Sequence, residues 1–217
     1  MNIEQARFNM IEQQIRPWEV LEQRVLSLMA EVPREDFVPI AYRQLAFADI
    51  NIPLAHDQVM MSPKLEGRLL QSLMLTPQDT VLEIGTGSGY LTALLSKLVT
   101  HVDSVDIFAD VIATAQEKLD ALNINNVSLH VADAIKGWNT DIKYDVIVLT
   151  GSVPLLESQF DQQLKKGGCL FAIVGNAPIM QAQLINRIDS NNLNTEVLFE
   201  TSIPPLIGAS NPNHFIF

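Results

Sequence analysis

From residue 80 onward, short apolar segments alternate with segments of helical periodicity, and this alternation constrains the fold more than any other feature. The strand candidates are residues 81–84, 101–106, 127–131, 144–150 and 169–174, and the helix candidates are residues 91–98, 109–122 and 154–164. Strands that alternate with helices favour a parallel sheet with right-handed crossovers. Two later segments, 180–187 and 194–203, are predicted to be strands that add an antiparallel pair. The sequence therefore predicts an α/β fold with a mainly parallel sheet.

The first 75 residues have a different character, with helical patterns at both ends and an irregular stretch between them. Apolar residues recur at helical spacing near the N-terminus, and Pro17 is well placed to open a second helix that Pro33 closes. Residues 34–62 are irregular, and a loop of that length within a compact domain is usually functional or poorly ordered. Residues 65–75 are then predicted to be a helix with leucines along one side.

Charge and cysteine content exclude several classes of protein. The formal net charge of −11 argues against a nucleic-acid partner, because phosphate binding needs a basic face. The single cysteine, Cys169, cannot form an intramolecular disulfide and is predicted to be a buried thiol, since it lies in an apolar run. The N-terminus lacks a signal-peptide pattern, and no apolar run reaches the roughly 18 residues of a membrane span. We therefore expect a soluble, cytoplasmic protein without a membrane partner.

Nothing in the sequence predicts a metal site. The histidines are dispersed along the chain and no Cys–His cluster occurs; they are His56, His101, His130 and His214. A lone histidine is more often structural or solvated than a metal ligand. The sequence also carries no signal for a particular oligomeric state.

The segment VLEIGTGSGY at residues 81–90 combines an apolar strand, a glycine-rich turn and the start of a helix. Open α/β sheets bind ligands at this point, beyond the carboxyl ends of their strands. Glycines there let the backbone approach a ligand closely, and the start of the helix offers free N–H groups. A dinucleotide fingerprint, G-x-G-x-x-G, would need a glycine at Tyr90. The observed pattern is G-x-G-x-G, with Glu83 two residues before it.

Polar side chains follow the next three strands. Asp106 ends the second strand, where a carboxylate can accept both hydroxyls of a ribose, although it could also be a solvated loop residue. Asp133 follows the third strand and could accept a hydrogen bond from an adenine amino group, or it could cap a helix that starts at Ala134. Thr150 ends the fourth strand and should face the same cleft. Together these residues indicate a nucleoside site.

The glycine loop looks like the first motif of Class I methyltransferases that use S-adenosylmethionine (SAM), and the flanking segments resemble the protein-L-isoaspartate O-methyltransferase family. The segments that carry this resemblance are MIEQQIR at 10–16, VL at 25–26, VPREDFVP at 32–39, AFADINIPL at 46–54, VLEIGTGSGY at 81–90, SVD at 104–106 and IPPLIG at 203–208. The resemblance implies a Rossmann-like SAM-dependent methyltransferase fold with a sheet of about seven strands and N-terminal helices. We expect one domain, 1–217, in which a helical part with a substrate rim, 1–75, precedes a SAM-binding core, 76–217.

The resemblance also implies a cofactor, an acceptor and a set of site residues. SAM would be bound by Glu83, Gly85, Thr86, Gly87, Gly89, Asp106, Ile107, Asp133, Ala134 and Thr150. The family methylates the α-carboxyl group of isoaspartyl residues in damaged proteins, which predicts a peptide or small-molecule carboxylate as the acceptor. Residues 53–63 would form the rim of the substrate site.

This rim departs from the family pattern at the position that matters for catalysis. When the flanking prolines are aligned, the family's catalytic serine falls on Met61 and its threonine on Val59. Met61 cannot donate a hydrogen bond, but a hydroxyl survives one residue later at Ser62, which is therefore the candidate catalytic residue. Both glycines of the family's rim are also replaced, by Ala55 and Asp57.

Several functions remain open at the level of sequence. The chain could be an isoaspartyl methyltransferase with a shifted hydroxyl, or a methyltransferase of the same fold with a different acceptor. It could also be a SAM-binding sensor or scaffold that has lost catalysis. A different nucleotide ligand is disfavoured by the intact glycine loop together with Asp106.

Overall fold

The computed structural model describes residues 2–138, 141–189 and 192–209. Its N-terminal part is mainly helical and contains α1 (Ile3–Met10), a π-helical continuation (Ile11–Ile15), α2 (Gln23–Glu31), α3 (Arg34–Phe37) and α4 (Pro63–Leu73). The predicted irregular stretch between α3 and α4 holds two short 3-10 turns, Ile40–Leu45 and Ala55–Asp57, and a hairpin of β1 (Ile52–Pro53) and β2 (Val59–Met60).

The second helix does not start at Pro17, so that prediction is wrong. Pro17 lies in a 3-10 turn, Arg16–Trp18, and the chain then passes through Glu19 with a φ of 62°. A left-handed residue cannot continue a right-handed helix, so the chain changes direction there and α2 begins only at Gln23. Pro33 does follow the end of α2, as predicted, since proline disfavours helical backbone in the residue before it.

The remaining elements alternate as the sequence predicts. The strands are β3 (Thr80–Ile84), β4 (His101–Asp106), β5 (Val127–Val131), β6 (Tyr144–Val153), β7 (Leu164–Asn176), β8 (Ile179–Arg187) and β9 (Leu193–Thr201). Between them lie α5 (Tyr90–Ser96), α6 (Ala109–Ala121) and α7 (Gln159–Gln163). Within the described residues these strands form one seven-stranded sheet in the order β5-β4-β3-β6-β7-β8-β9. The first five of them are parallel, and β8 is antiparallel to both of its neighbours.

Two elements differ from their predicted extent. The predicted helix at 154–164 is reduced to α7, because β6 continues past Thr150 and gains a partner from the C-terminal segment. In that pairing the Ser152 N–H donates to the Pro204 carbonyl, and the Leu206 N–H donates to the Ser152 carbonyl. β7 begins well before the predicted strand at 169–174, so Gly167 and Gly168 lie inside it, next to a register shift against β6.

Side chains of the strands alternate between two cores, one on each face of the sheet. Val81, Val146 and Val148 face the core that also contains the helices of the N-terminal part. Leu82 and Ile147 face the opposite core. The N-terminal helices therefore cover one face of the sheet, and the carboxyl ends of the parallel strands stay accessible at one edge. No helix of the described residues is long and apolar enough to cross a membrane.

Candidate active site

A pocket opens at the carboxyl ends of β3, β4 and β6, which we call the main pocket. Most of the residues predicted to bind the cofactor line it: Gly85, Gly87, Asp106, Ile107, Asp133, Ala134 and Thr150. Parallel strands end at the same edge of a sheet, so residues that are far apart in the sequence converge there. The rim residues Gln58 and Val59 and the segment around Leu206 close the remaining sides.

The glycine loop has a backbone conformation that few other residues could adopt. Gly85, Gly87 and Gly89 have φ values of 97°, 52° and 81°. A Cβ atom on Gly85 would collide with the hydroxyl of Thr150. Gly89 differs from the other two, because it starts α5 and packs against Ala115, where an added Cβ would lie 3.1 Å from the alanine Cβ. Gly89 therefore serves the packing of α6 and does not line the main pocket.

Asp106 is held rigidly at the edge of the main pocket. Its Oδ2 accepts a hydrogen bond from the Gly87 N–H at 3.1 Å, and its Oδ1 accepts one from the Phe108 N–H at 3.1 Å. A carboxylate oxygen can accept more than one hydrogen bond, so both oxygens keep capacity for ligand hydroxyls. The carboxylate is thus fixed at the edge of the main pocket and can still accept hydrogen bonds from a ligand.

Asp133 and Thr150 line the main pocket while also making bonds within the chain. Asp133 Oδ1 accepts a hydrogen bond from the Ile135 N–H at 3.1 Å within a turn. No helix starts at Ala134, so the alternative of a helix cap is wrong. Among the described residues, none donates a hydrogen bond to Oδ2. The hydroxyl of Thr150 lies 2.9 Å from the Ile84 carbonyl and 2.7 Å from the Gly85 carbonyl, and it fixes the end of β3 against β6.

Glu83 and Thr86 lie beneath the glycine loop and do not line the main pocket. Glu83 Oε2 accepts hydrogen bonds from the hydroxyls of Thr92 and Ser104, at 2.5 and 2.6 Å. The Thr86 hydroxyl lies 2.7 Å from that of Ser104. Burial raises the pKa of Glu83 to about 7, although both hydroxyl bonds act in the opposite direction.

Glu83 and Thr86 face a second, smaller cavity of about 40 Å³, which we call the inner cavity. The inner cavity shares Val59, Gly85, Gly87 and Thr150 with the main pocket, so the two adjoin. Its outer wall is the rim segment Val59–Met61, and α4 contributes Glu66. Met61, at the family's serine position, is therefore next to the predicted cofactor site.

Ser62, the candidate catalytic residue, lies elsewhere. It precedes α4, its side chain makes no capping bond, and it lines a separate depression together with Lys64 and Arg68. Neighbouring side chains in extended backbone point to opposite sides, so Met61 and Ser62 cannot both face the inner cavity. The structure thus separates Ser62 from the glycine loop and from Asp106.

Sequence reasoning missed two buried charged residues near the inner cavity, Arg34 and Glu66. Arg34 pairs with the Glu66 carboxylate and also donates to the Met61 carbonyl at 2.6 Å and to the Ala46 carbonyl at 2.9 Å. Its guanidinium lies over the ring of Tyr90, 4.8 Å from the centroid. A signal for Glu66 was present, because it falls on the leucine-lined side of α4, where an acid is unusual.

The described histidines do not form a metal site. His101 and His130 both approach Asp103, with Nε2 to Oδ1 distances of 3.7 and 2.8 Å, so they are less dispersed than the sequence indicates. Nevertheless, in the part of the chain that the structure describes, no three potential ligand side chains are placed to hold a metal ion. His214 lies outside the described residues.

Comparison with known proteins identifies the family. The sequence model of the protein-L-isoaspartate(D-aspartate) O-methyltransferase family matches residues 5–210. The chain belongs to this family. A protein-L-isoaspartate O-methyltransferase of Rhodopseudomonas palustris is 35% identical over 201 residues, which cover 92% of each chain. One of Koribacter versatilis is 34% identical over 202 residues, which cover 93% of this chain and 90% of the relative.

Solved structures agree on the fold. A protein-L-isoaspartate O-methyltransferase superposes with a TM-score of 0.79 at 24% identity, covering 94% of this chain and 67% of the other. A Plasmodium falciparum protein described as a member of the same family, in complex with S-adenosyl-L-homocysteine, gives a TM-score of 0.78 at 18% identity, covering 95% and 98%. The predicted Rossmann-like methyltransferase fold is therefore confirmed. Family membership also confirms the predicted methyltransferase class and its methyl donor, SAM.

Proposed function

We propose that the chain transfers the methyl group of SAM to the α-carboxyl group of isoaspartyl residues in peptides or proteins. The observation that carries the proposal is the placement of Asp106 at the mouth of the main pocket, beside a glycine loop in which a Cβ atom on Gly85 would collide with the Thr150 hydroxyl. In our assignment Asp106 holds the ribose hydroxyls, Asp133 meets the adenine amino group, and Gly85 and Gly87 let the backbone approach the cofactor.

The inner cavity fits the amino-acid half of the cofactor. Glu83 is fully buried, and its Oε1 has no hydrogen-bond partner within the described residues. A buried acceptor without a partner is costly, so a ligand that donates a hydrogen bond there is favoured. We assign this cavity to the end of SAM that carries the ammonium group, with the nucleoside in the main pocket.

The residues of the rim would position the acceptor and exclude water. Bound SAM supplies a methyl group on a positively charged sulfur, and a carboxylate acceptor is already a nucleophile. No general base is then required, and the rate depends mainly on positioning and on electrostatic stabilisation. Arg34 contributes by holding the Met61 carbonyl, and therefore the backbone of the rim, against the inner cavity.

The decisive experiment measures transfer of labelled methyl from SAM to an isoaspartyl peptide, with the matching aspartyl peptide as control. Transfer to the isoaspartyl peptide alone supports the proposal. An Asp106→Ala variant should lose most of its affinity for S-adenosyl-L-homocysteine, whereas Asp120→Ala, on the exposed side of α6, should not. Unchanged affinity in the Asp106 variant would contradict the ribose assignment.

A second candidate function is methyl transfer to a different carboxylate. Val59, Met60 and Met61 make the rim apolar where the family has hydroxyls, and Met61 lines the inner cavity. An apolar rim suits a less polar acceptor than a peptide backbone. If this chain binds S-adenosyl-L-homocysteine but transfers no methyl group to the isoaspartyl peptide, the result favours either this alternative or a sensor without catalysis.

A further inference from the structure

The inner cavity is bordered by two buried carboxylates that approach it from different elements. Glu83 comes from β3 in the sheet, and Glu66 comes from α4 in the N-terminal part. Both residues are almost completely buried, at 0% and 1% exposure. Two buried carboxylates that face one small cavity must be either paired with a positive charge or protonated, because an isolated buried charge is strongly unfavourable.

Arg34 supplies only part of this compensation. Its Nη1 group pairs with Glu66, and its Nε and Nη2 groups donate to the carbonyls of Ala46 and Met61. None of these bonds reaches Glu83, whose Oε1 stays without a hydrogen-bond partner in the described part of the chain. With both carboxylates ionised, the group of Glu66, Glu83 and Arg34 therefore carries one excess negative charge.

In the ligand-free protein, protonation of one of the two carboxylates can balance this charge. Burial raises the pKa of Glu66 to about 7 despite the neighbouring Arg34, and it raises the pKa of Glu83 to a similar value. The other titratable groups that interact with this pair are the phenol of Tyr90 and the carboxylate of Asp106. A cationic ligand group that enters the cavity would replace the proton.

The size and polarity of the inner cavity restrict what that cationic group can be. A space of about 40 Å³ has room for a small polar group. A primary ammonium group has this size, carries the required charge and donates three hydrogen bonds. A phosphate would be repelled by Glu66 and Glu83. The α-carboxylate that the cofactor carries beside its ammonium group would be repelled as well, so it must point away from both residues.

From this geometry we infer that Glu66 is a specificity-determining residue, which, with Glu83, selects a cofactor that carries an α-ammonium group. The inference rests on the proposed function, because it takes SAM and its product as the ligands. It adds a role for α4, which binds the cofactor from the side opposite the sheet. Glu66 also links the ligand to the rim, since its partner Arg34 holds the Met61 carbonyl.

The test compares two ligands that share the nucleoside and differ in the amino-acid half. S-Adenosyl-L-homocysteine carries the α-ammonium group, and 5′-methylthioadenosine lacks it. Isothermal titration calorimetry at pH 7.5 should show that Glu66→Gln weakens binding of S-adenosyl-L-homocysteine by about tenfold or more, as expected for the loss of a charged hydrogen bond. Binding of 5′-methylthioadenosine should change by less than about twofold. Glu117→Gln, on the exposed side of α6, is the matched control.

A loosened structure would lower the affinity for both ligands, so the ratio of the two affinities separates recognition from folding. A second measurement uses pH. Between pH 6 and pH 8 the affinity of the wild type for S-adenosyl-L-homocysteine should rise as the carboxylates ionise, and it should rise less steeply in Glu66→Gln. The affinity for 5′-methylthioadenosine should stay nearly constant.

Two results would overturn the inference in distinguishable ways. If the wild type binds both ligands and Glu66→Gln leaves their affinity ratio unchanged, Glu66 does not recognise the ammonium group, while the proposed function stands. If the wild type binds neither ligand, the assignment of the cofactor site fails and this inference fails with it.

Discussion

The imidazole ring of His56 lies flat against the phenyl ring of Phe108, with ring centroids 3.7 Å apart and planes inclined by 9°. His56 belongs to the rim, whereas Phe108 lines the main pocket just before α6. The His56 Nε2 also lies 3.0 and 2.9 Å from the two carboxylate oxygens of Asp110, and this bond lowers the pKa of Asp110. The contact ties the rim to the first turn of α6, beside the main pocket.

Replacing His56 by alanine should release this part of the rim. A stacked aromatic pair contributes about 0.5–1.5 kcal/mol, so S-adenosyl-L-homocysteine should dissociate about two- to tenfold faster from His56→Ala than from the wild type. Stopped-flow displacement measures this rate directly. His101→Ala, away from the main pocket, serves as the control. An unchanged dissociation rate would mean that the rim does not retain the ligand.

Alanine substitutions in the glycine loop should separate ligand binding from stability. Gly85→Ala places a methyl group against the Thr150 hydroxyl at the main pocket, so it should both destabilise the protein and abolish binding of S-adenosyl-L-homocysteine. Gly89→Ala strains the start of α5 against Ala115 and should lower the unfolding temperature, with affinity retained in the folded protein. In each variant an alanine must adopt a left-handed backbone conformation, which costs about 1–2 kcal/mol of stability. Thermal unfolding and calorimetry test the contrast, and equal losses of affinity would refute it.

The buried Glu83 should make stability depend on pH. Its pKa is about 7 in the folded protein, against an ordinary value of 4.5 for a solvated glutamic acid, so the folded state holds the proton more tightly than the unfolded state. The contribution of Glu83 is therefore most favourable below about pH 4.5 and is lost as the pH rises through 7. The loss amounts to about 3 kcal/mol at most.

The glutamine of Glu83→Gln cannot ionise, so this variant lacks the pH-dependent contribution of Glu83 to the free energy of unfolding. The free energy of unfolding of the wild type, minus that of Glu83→Gln, should therefore fall between pH 5 and pH 8. Urea unfolding at four pH values in this range measures the difference. A difference that is independent of pH would show that Glu83 does not titrate in this range.

The rim offers a direct comparison of two neighbouring residues. Met61→Ser places a hydroxyl at the inner cavity and should increase kcat/KM for an isoaspartyl peptide. It should also cost about 2–4 kcal/mol of stability, because Met61 is buried and the shorter side chain leaves a void. Ser62→Ala should change methyl transfer by less than about twofold, since Ser62 lines another depression and makes no capping bond. Methyl-transfer assays on both variants decide the matter, and a large loss in Ser62→Ala would restore Ser62 as the catalytic candidate.

The sequence by itself determined the order of elements in the core and several of the residues that line the main pocket. Apolar runs and helical periodicity are local signals, and they predicted the bounds of β4 and β5 as observed. The carboxyl ends of parallel strands all lie at one edge of the sheet. Asp106 and Asp133 could therefore be placed at the same edge without knowledge of packing. The same local signals failed at Pro17, because the left-handed backbone of Glu19 has no marker in the sequence.

Only the tertiary structure decided which residues meet in the inner cavity. Glu66 and Glu83 belong to different elements, and their approach depends on how the N-terminal helices pack on the sheet. The direction of Met61 and Ser62 depends on the path of an irregular rim, where a shift of one residue exchanges the inward and outward sides. Local periodicity encodes elements, but the facing of a loop and the contacts between distant carboxylates follow from packing alone.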